Sequence, residues 1–265
     1  MPTLNEIMAQ INKKAGETVV QRLGKMEHVA LERIPSGITN LDEAVGGGFP
    51  RGRMVELYGL PSSGKSLIAQ YIIANAQKAG GDCVYVDAEG AFDPKFASLL
   101  GVNVDNLALV QTGIGEDVID VVAKLLEAEP AVIVIDSVGA IITRDEYAES
   151  VEKVFMAPKA RLMSKGLPKL TAKNKKTLII FINQLRQIIS TWGGGGTATT
   201  GGMALGFYSS IRVEVKRDKE LLYKDDKKSG EVVGQIVHFN VKKNKTAPPH
   251  REGSFKFFFT GEVKV

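Results

Sequence analysis

The sequence has a single cysteine, Cys83. No disulfide can form within the chain, which fits a reducing compartment. No apolar run approaches the ~20 residues of a membrane span, and the first residues lack the apolar segment and cleavage pattern of a secretory leader. A cytoplasmic protein without membrane association is expected. The third scarcity is local: no Asp or Glu occurs from Lys153 to Val213, while Lys153, Lys159, Arg161, Lys165, Lys169, Lys173, Lys175, Lys176, Arg186 and Arg212 all do. The formal charge of +4 therefore combines ten positive charges in this stretch with a net six negative charges elsewhere. A solvated lysine face and a polyanion-binding face both account for that asymmetry.

What is present suits one large α/β domain. The 265 residues suffice for a sizeable core, and 44% hydrophobic with 24% charged residues is ordinary for a globular chain. Residues Leu4 to Lys14 carry Leu4, Ile7, Met8 and Ile11 on one helical face, and Thr18 to Leu23 read as a strand. Together they look like an arm in need of a packing surface. From Ile34 onward strands and helices alternate. Strands are expected at Met54–Tyr58, Val84–Asp87, Ala131–Ile135 and Leu178–Ile182, with helices at about Lys65–Ala79 and Glu116–Glu127. Such alternation predicts a mainly parallel sheet covered by helices. Ile211–Lys216, Gln235–Lys242 and Ser254–Phe259 are strands without helices between them, so the sheet should end in antiparallel hairpins. Two stretches, ~146–157 and Ser190–Gly202, are expected to lack regular structure, the second because of its glycines.

The sharpest motif is Gly59, Leu60, Pro61, Ser62, Ser63, Gly64, Lys65 and Ser66, which matches G-x-x-x-x-G-K-[ST] between a strand and a helix. Its backbone N–H groups and helix N-terminus favour phosphate. Lys65 can reach the outer phosphates, and the Ser66 hydroxyl can bind Mg²⁺. Asp136 ends a buried strand, where a carboxylate can hold that Mg²⁺ or simply cap the next helix. Asp87 ends another strand with Glu89 two residues beyond, and either could polarise water for ATP hydrolysis. Asn183 and Gln184 end a third strand just before the glycine-rich segment. Uncharged amides there can sense a γ-phosphate and pass its presence onward.

With these residues in place, the chain resembles the RecA recombinases over about residues 17–260. The resemblance is carried by Ile34–Asp42, the P-loop, Val86–Glu89 with Phe92–Pro94, Ile135–Ser137, Phe181–Arg186, Thr200–Leu205 and Lys242–Lys245. It implies a P-loop core (residues 34–265) behind a polymerisation arm (residues 1–33). It further implies an ATP- and Mg²⁺-dependent filament on single-stranded DNA that pairs this strand with homologous duplex. Glu89 matches the base that activates water, and Gln184 the γ-phosphate sensor. Asp93 and Phe96 lie where the family contacts adenine, Phe96 standing for a tyrosine. Lys243 and Lys245 match the lysines that reach a neighbouring protomer's ATP. Residues ~149–157, with Met156, and ~186–201, with Trp192, match two DNA-binding loops. Arg161, Arg186, Thr200, Gly201, Gly202 and Arg212 fall at further DNA-facing positions.

The chain also departs from the family pattern. It stops where bacterial members add a C-terminal domain and an acidic tail, so duplex capture and self-regulation are not carried over. The N-terminal helix is shorter, Met203 stands where Asn is common, Gly206 stands at a basic position, and Pro168 is expected to interrupt a basic helix near Lys169. A compact, phage-type or otherwise minimal member would have this pattern. Two other readings share the P-loop: a RecA-fold helicase-like motor, and a nucleotide-gated DNA-binding accessory protein.

Overall fold

The computed structural model describes residues 1–16, 18–22, 24, 31–149, 157–188, 196–224 and 230–265. Met156 and Trp192 lie outside the described residues, as does most of the first expected loop. The chain divides into two units, Met1–Glu32 and Arg33–Val265.

In the first unit, helix α1 (Leu4–Ala15) begins with a capping box: the Thr3 side chain accepts from the Glu6 N–H, and Glu6 reaches back to the Thr3 N–H. It ends at Gly16, whose φ of 72° is the left-handed conformation of a helix stop. None of its residues is buried, and Leu4, Ile7 and Ile11 are exposed. The strand expected over residues 18–23 does not form in residues 18–22. The Asn12 amide takes its place, accepting from the N–H groups of Val19 (2.9 Å) and Val20 (2.8 Å) and donating to the Val20 carbonyl (2.7 Å). A strand needs a neighbouring backbone; here a side chain satisfies those groups instead.

The second unit opens with β1 (Arg33–Ile34) paired to β2 (Phe49–Pro50) across α2 (Thr39–Val45). Then follow β3 (Met54–Gly59), α3 (Lys65–Lys78), β4 (Cys83–Asp87), α4 (Pro94–Leu99), β5 (Leu107–Val110), α5 (Gly115–Leu125) and β6 (Val132–Asp136). The chain continues through α6 (Arg144–Ala148), α7 (Pro158–Lys173), β7 (Leu178–Ile188), β8 (Gly196–Thr199), α8 (Ala204–Tyr208), β9 (Ile211–Tyr223), β10 (Val232–Asn244), β11 (Glu252–Phe258) and β12 (Val263–Lys264). Across the sheet the parallel strands run β9-β3-β7-β6-β4-β5, and β10, β11 and β12 extend the β9 edge antiparallel.

Alternate residues of each strand serve opposite faces. Val132 and Val134 pack with Ile68 and Ile72 of α3, whereas Ile133 and Ile135 pack with Val118 and Val122 of α5 and Met163 and Leu167 of α7. That two-sided burial explains the unbroken apolar runs in the central strands. Cys83 lies in this core, and burial pushes its thiol up to about 12.

Three further expectations need correction. Pro168 does not interrupt α7, which continues to Lys173. Proline removes one N–H, leaving the Ser164 carbonyl without its helical donor; Ser164 is exposed, so water can supply one. Residues 144–148, partly within the first supposedly irregular stretch, form α6 with a capping box from Thr143 and Glu146. In the second, Gly196–Thr199 forms β8, because β7 runs on past Ile182 to Ile188 and pairs Leu185–Ile188 with it. A hairpin partner supplies the backbone bonds that glycine-rich composition alone does not.

Candidate functional site

The P-loop leaves β3 at Gly59, where a Cβ would lie 2.0 Å from the Val215 carbonyl oxygen, so only glycine fits. Gly64 caps α3 with a φ of 98°. The Lys65 ammonium is buried and folds back onto the loop, donating to the carbonyls of Leu60 (2.7 Å) and Gly59 (3.3 Å) and to Ser63 Oγ (3.3 Å). Burial lowers the Lys65 pKa, and the charges of Asp136 and Glu89 pull it back upward. Both carboxylates are thus electrostatically coupled to the lysine.

Asp136 ends β6 beside this loop. Its Oδ2 accepts from Ser66 Oγ and from the Tyr85 hydroxyl, each at 2.6 Å. Burial raises the Asp136 pKa, and those two hydrogen bonds oppose the rise. Tyr85 was not singled out from the sequence. Its inward position on β4 was legible, and a buried phenol needs a polar partner, but the partner lies 51 residues away.

The second cluster sits next door. Glu89 Oε1 accepts from Ser137 Oγ and, at 3.1 Å, from Gln184 Nε2. The Asp136–Ser137 peptide is cis. Asp87 has a different place: it is buried and accepts from the Ala91 and Phe92 N–H groups, both at 3.1 Å. Both its oxygens are thereby committed to shaping the turn that carries Glu89, which is itself exposed.

Asp93, Phe96 and Lys243 are each engaged by other groups of the chain. Asp93 caps α4, accepting from the N–H groups of Lys95 (2.8 Å) and Phe96 (3.2 Å). The Phe96 ring sits edge-on to Phe257 at 6.2 Å. Lys243 Nζ donates to the α8 carbonyls of Gly206 (2.6 Å) and Phe207 (3.0 Å), and Lys245, just beyond β10, is exposed.

The model of the RecA N-terminal domain matches residues 2–264. The RecA protein of Gloeobacter violaceus is 42% identical over 259 residues, covering 97% of this chain and 69% of that protein. The RecA protein of Fusobacterium nucleatum is 43% identical, with 97% and 68% covered, and that of Chloroflexus aurantiacus 44%, with 94% and 71% covered. The chain belongs to the RecA family.

As a RecA homologue it carries that family's P-loop ATPase domain. Among the described residues, no helix is long and apolar enough to cross a membrane.

The positions that the RecA resemblance assigns to DNA are dispersed in environment. Arg186 is exposed on β7, close enough to Lys159 that its charge, after burial, lowers the Lys159 pKa. Arg161 is exposed on α7 and lines a cleft of about 490 Å³ shared with Glu116, Asp120 and Asp145. Arg212 is already paired: its Nε donates to the buried Glu56 at 2.5 Å, and its guanidinium lies 4.8 Å from the centre of the Tyr58 ring. Thr200 donates to Asn183 Oδ1. Gly201 and Gly202 turn with φ of 85° and 75°, and a Cβ on Gly202 would lie 3.0 Å from Ala160 Cβ on α7.

The acid-free run from Lys153 to Val213 is not a bare cationic face. Lys169 pairs with Asp120 (2.6 Å), Lys173 with Glu127 (3.3 Å) and Lys176 with Glu129 (2.8 Å). The acids come from α5 and the turn after it, a neighbour invisible to a count along the sequence. These exposed pairs add little stability, but they redistribute the positive potential.

Proposed function

We propose that this chain is an ATP-dependent DNA recombinase, which polymerises on single-stranded DNA, hydrolyses ATP and pairs the bound strand with homologous duplex. The observation that carries the reading is the convergence, in a RecA-family chain, of Lys65, the Ser66–Asp136 pair and the Ser137–Glu89–Gln184 cluster beside one P-loop.

The residues fit Mg²⁺ and ATP. Ser66 Oγ and Asp136 Oδ2 form a hard-oxygen pair 2.6 Å apart, and the glycines let the loop pack tightly onto Val215 and Val237 as it turns into the N-terminus of α3, a helix end that favours phosphate. When bound, Mg²⁺ supplies positive charge to the phosphate oxygens. The chain's own part is positional. Lys65 turns from the loop carbonyls to the outer phosphates. Glu89 orients a water and accepts its proton, while Ser137 and Gln184 hold the carboxylate in place. Gln184 senses the γ-phosphate. Asp93 and Phe96 border the base.

A neighbouring copy supplies Lys243 and Lys245, and the arm over residues 1–33 joins the copies. Hydrolysis is then possible only where two protomers meet. Mixing Lys65→Ala with Lys243→Ala protein is expected to restore part of the ATPase that each lacks alone, because intact half-sites can meet. If both variants co-assemble and no mixing ratio gives recovery, the site is not shared.

DNA is held by phosphate contacts from Arg161 and Arg186, with Met156 and Trp192 from the loops reaching bases and the Thr200–Gly202 turn supporting them. Trp192 is the only tryptophan, which makes the test direct. With an ATP analogue, Mg²⁺ and single-stranded DNA, its emission should quench or shift and electron micrographs should show helical filaments. Closed rings would favour a helicase-like motor. An emission unchanged at saturating DNA would remove Trp192 from the interface.

A further inference from the structure

Glu56 lies on β3, the strand that delivers the P-loop, yet it is wholly buried and its side chain is engaged by Asn183 and Arg212. A buried carboxylate survives only with strong partners. Asn183 Nδ2 donates to its Oε1 at 2.9 Å, and Arg212 Nε to its Oε2 at 2.5 Å. Each partner opens onto a different part of the molecule.

Asn183 precedes the sensor candidate Gln184. Its Oδ1 accepts from the Gln184 N–H (2.9 Å) and from Thr200 Oγ1, and its Nδ2 also donates to the Thr200 carbonyl (2.9 Å). One amide therefore ties the sensor's backbone to the turn that follows β8. Arg212, on the other side, is the cross-strand partner of Lys243 on β10. Lys243 in turn grips the α8 carbonyls of Gly206 and Phe207. Tyr58, Arg212, Lys243, Gly202 and Phe207 line one cavity of about 730 Å³, so these groups border a common space.

We infer that Glu56 is a positioning residue that couples the nucleotide sensor to the segment from Thr200 to Tyr208, through Asn183 on one side and Arg212 with Lys243 on the other. The inference rests on the reading of Gln184 as the γ-phosphate sensor. Glu56 touches neither nucleotide nor DNA. A shift of the Gln184 backbone moves Asn183, and the two hydrogen bonds at Glu56 transmit that shift across β3 to β9. A charged acceptor suits this because both neighbours present donors, which a neutral amide cannot accept equally.

The test is amide hydrogen exchange over residues 200–208 in the 265-residue chain, with and without adenylyl imidodiphosphate and Mg²⁺. In the parent the analogue should slow exchange there by about five-fold or more, the lower range of an ordinary coupling. In Glu56→Gln the analogue should still bind, but its effect on this segment should vanish. Because Glu56→Gln leaves Arg212 unpaired and can lower stability, Glu56→Gln/Arg212→Gln serves as the second variant: its melting temperature should recover while the segment stays unresponsive. Parent protein without nucleotide-dependent protection at 200–208 would overturn the inference. So would a parent-like response in either variant, the double variant included, since a merely structural ion pair predicts recovery with stability. Phosphate release from the parent with and without single-stranded DNA, measured alongside, separates the two claims: lack of stimulation counts against the recombinase reading and leaves the exchange result to judge Glu56.

Discussion

Lys65→Ala is expected to lower ATP hydrolysis by about 10³-fold, equivalent to about 4 kcal/mol of transition-state stabilisation. The Lys65 ammonium is buried beside the P-loop carbonyls and within the fields of Asp136 and Glu89. As charge develops on the outer phosphates, nothing else on the loop carries a compensating positive charge. The substitution also removes three hydrogen bonds that hold the loop in its present shape, those to Gly59, Leu60 and Ser63. Binding of a fluorescent ATP analogue should therefore weaken as well, with little change in melting temperature because α3 keeps its buried apolar face. Steady-state phosphate release and a thermal melt are the measurements. Turnover within a few-fold of the parent would place the phosphates elsewhere.

Glu89→Gln is expected to retain ATP binding and lose about 10²–10⁴-fold in hydrolysis, the usual contribution of a general base. The amide is nearly isosteric, and its oxygen can still accept from Ser137 and Gln184 as Glu89 Oε1 does. What it cannot do is take a proton from water. Geometry is thus preserved while basicity is lost, and filaments on DNA should persist rather than turn over. Single-turnover hydrolysis after rapid mixing checks this, with Asp87→Asn as the companion. Parent-like hydrolysis in Glu89→Gln would put the base at another residue. The companion should act differently, by loosening the turn at Ala91 and Phe92 that presents Glu89.

The two carboxylates show where reading the chain stopped. Asp87 and Glu89 stand two residues apart at the end of one strand, and side-chain type does not separate them. Burial does. The Asp87 oxygens face backbone N–H groups of the following turn, and Glu89 faces Ser137 just after β6 and Gln184 on β7. Pro168 and the glycine-rich run show the same limit from the other side. Local propensity argued against helix and against order, but α7 is held by Met163, Leu167 and Leu170 in the core and β8 by its pairing with β7. Tertiary contacts override propensities that amount to about 1–3 kcal/mol per residue.

The sequence by itself determined the P-loop, the positions of the central strands and the antiparallel end of the sheet, through short-range spacing: the fixed offsets from Gly59 to Ser66, or apolar runs in strands buried on both faces. The family came from the resemblance of an ordered set of segments along nearly the whole chain. Only the tertiary structure decided how the site is wired. Tyr85 on Asp136, Ser137 and Gln184 on Glu89, Glu56 between Asn183 and Arg212, and the acids of α5 against the lysines of α7 all join residues far apart in sequence. The reason is physical. A parallel sheet orders its strands in space differently from their order in the chain, and brings together ends whose side chains then have to satisfy one another's charge and hydrogen bonds.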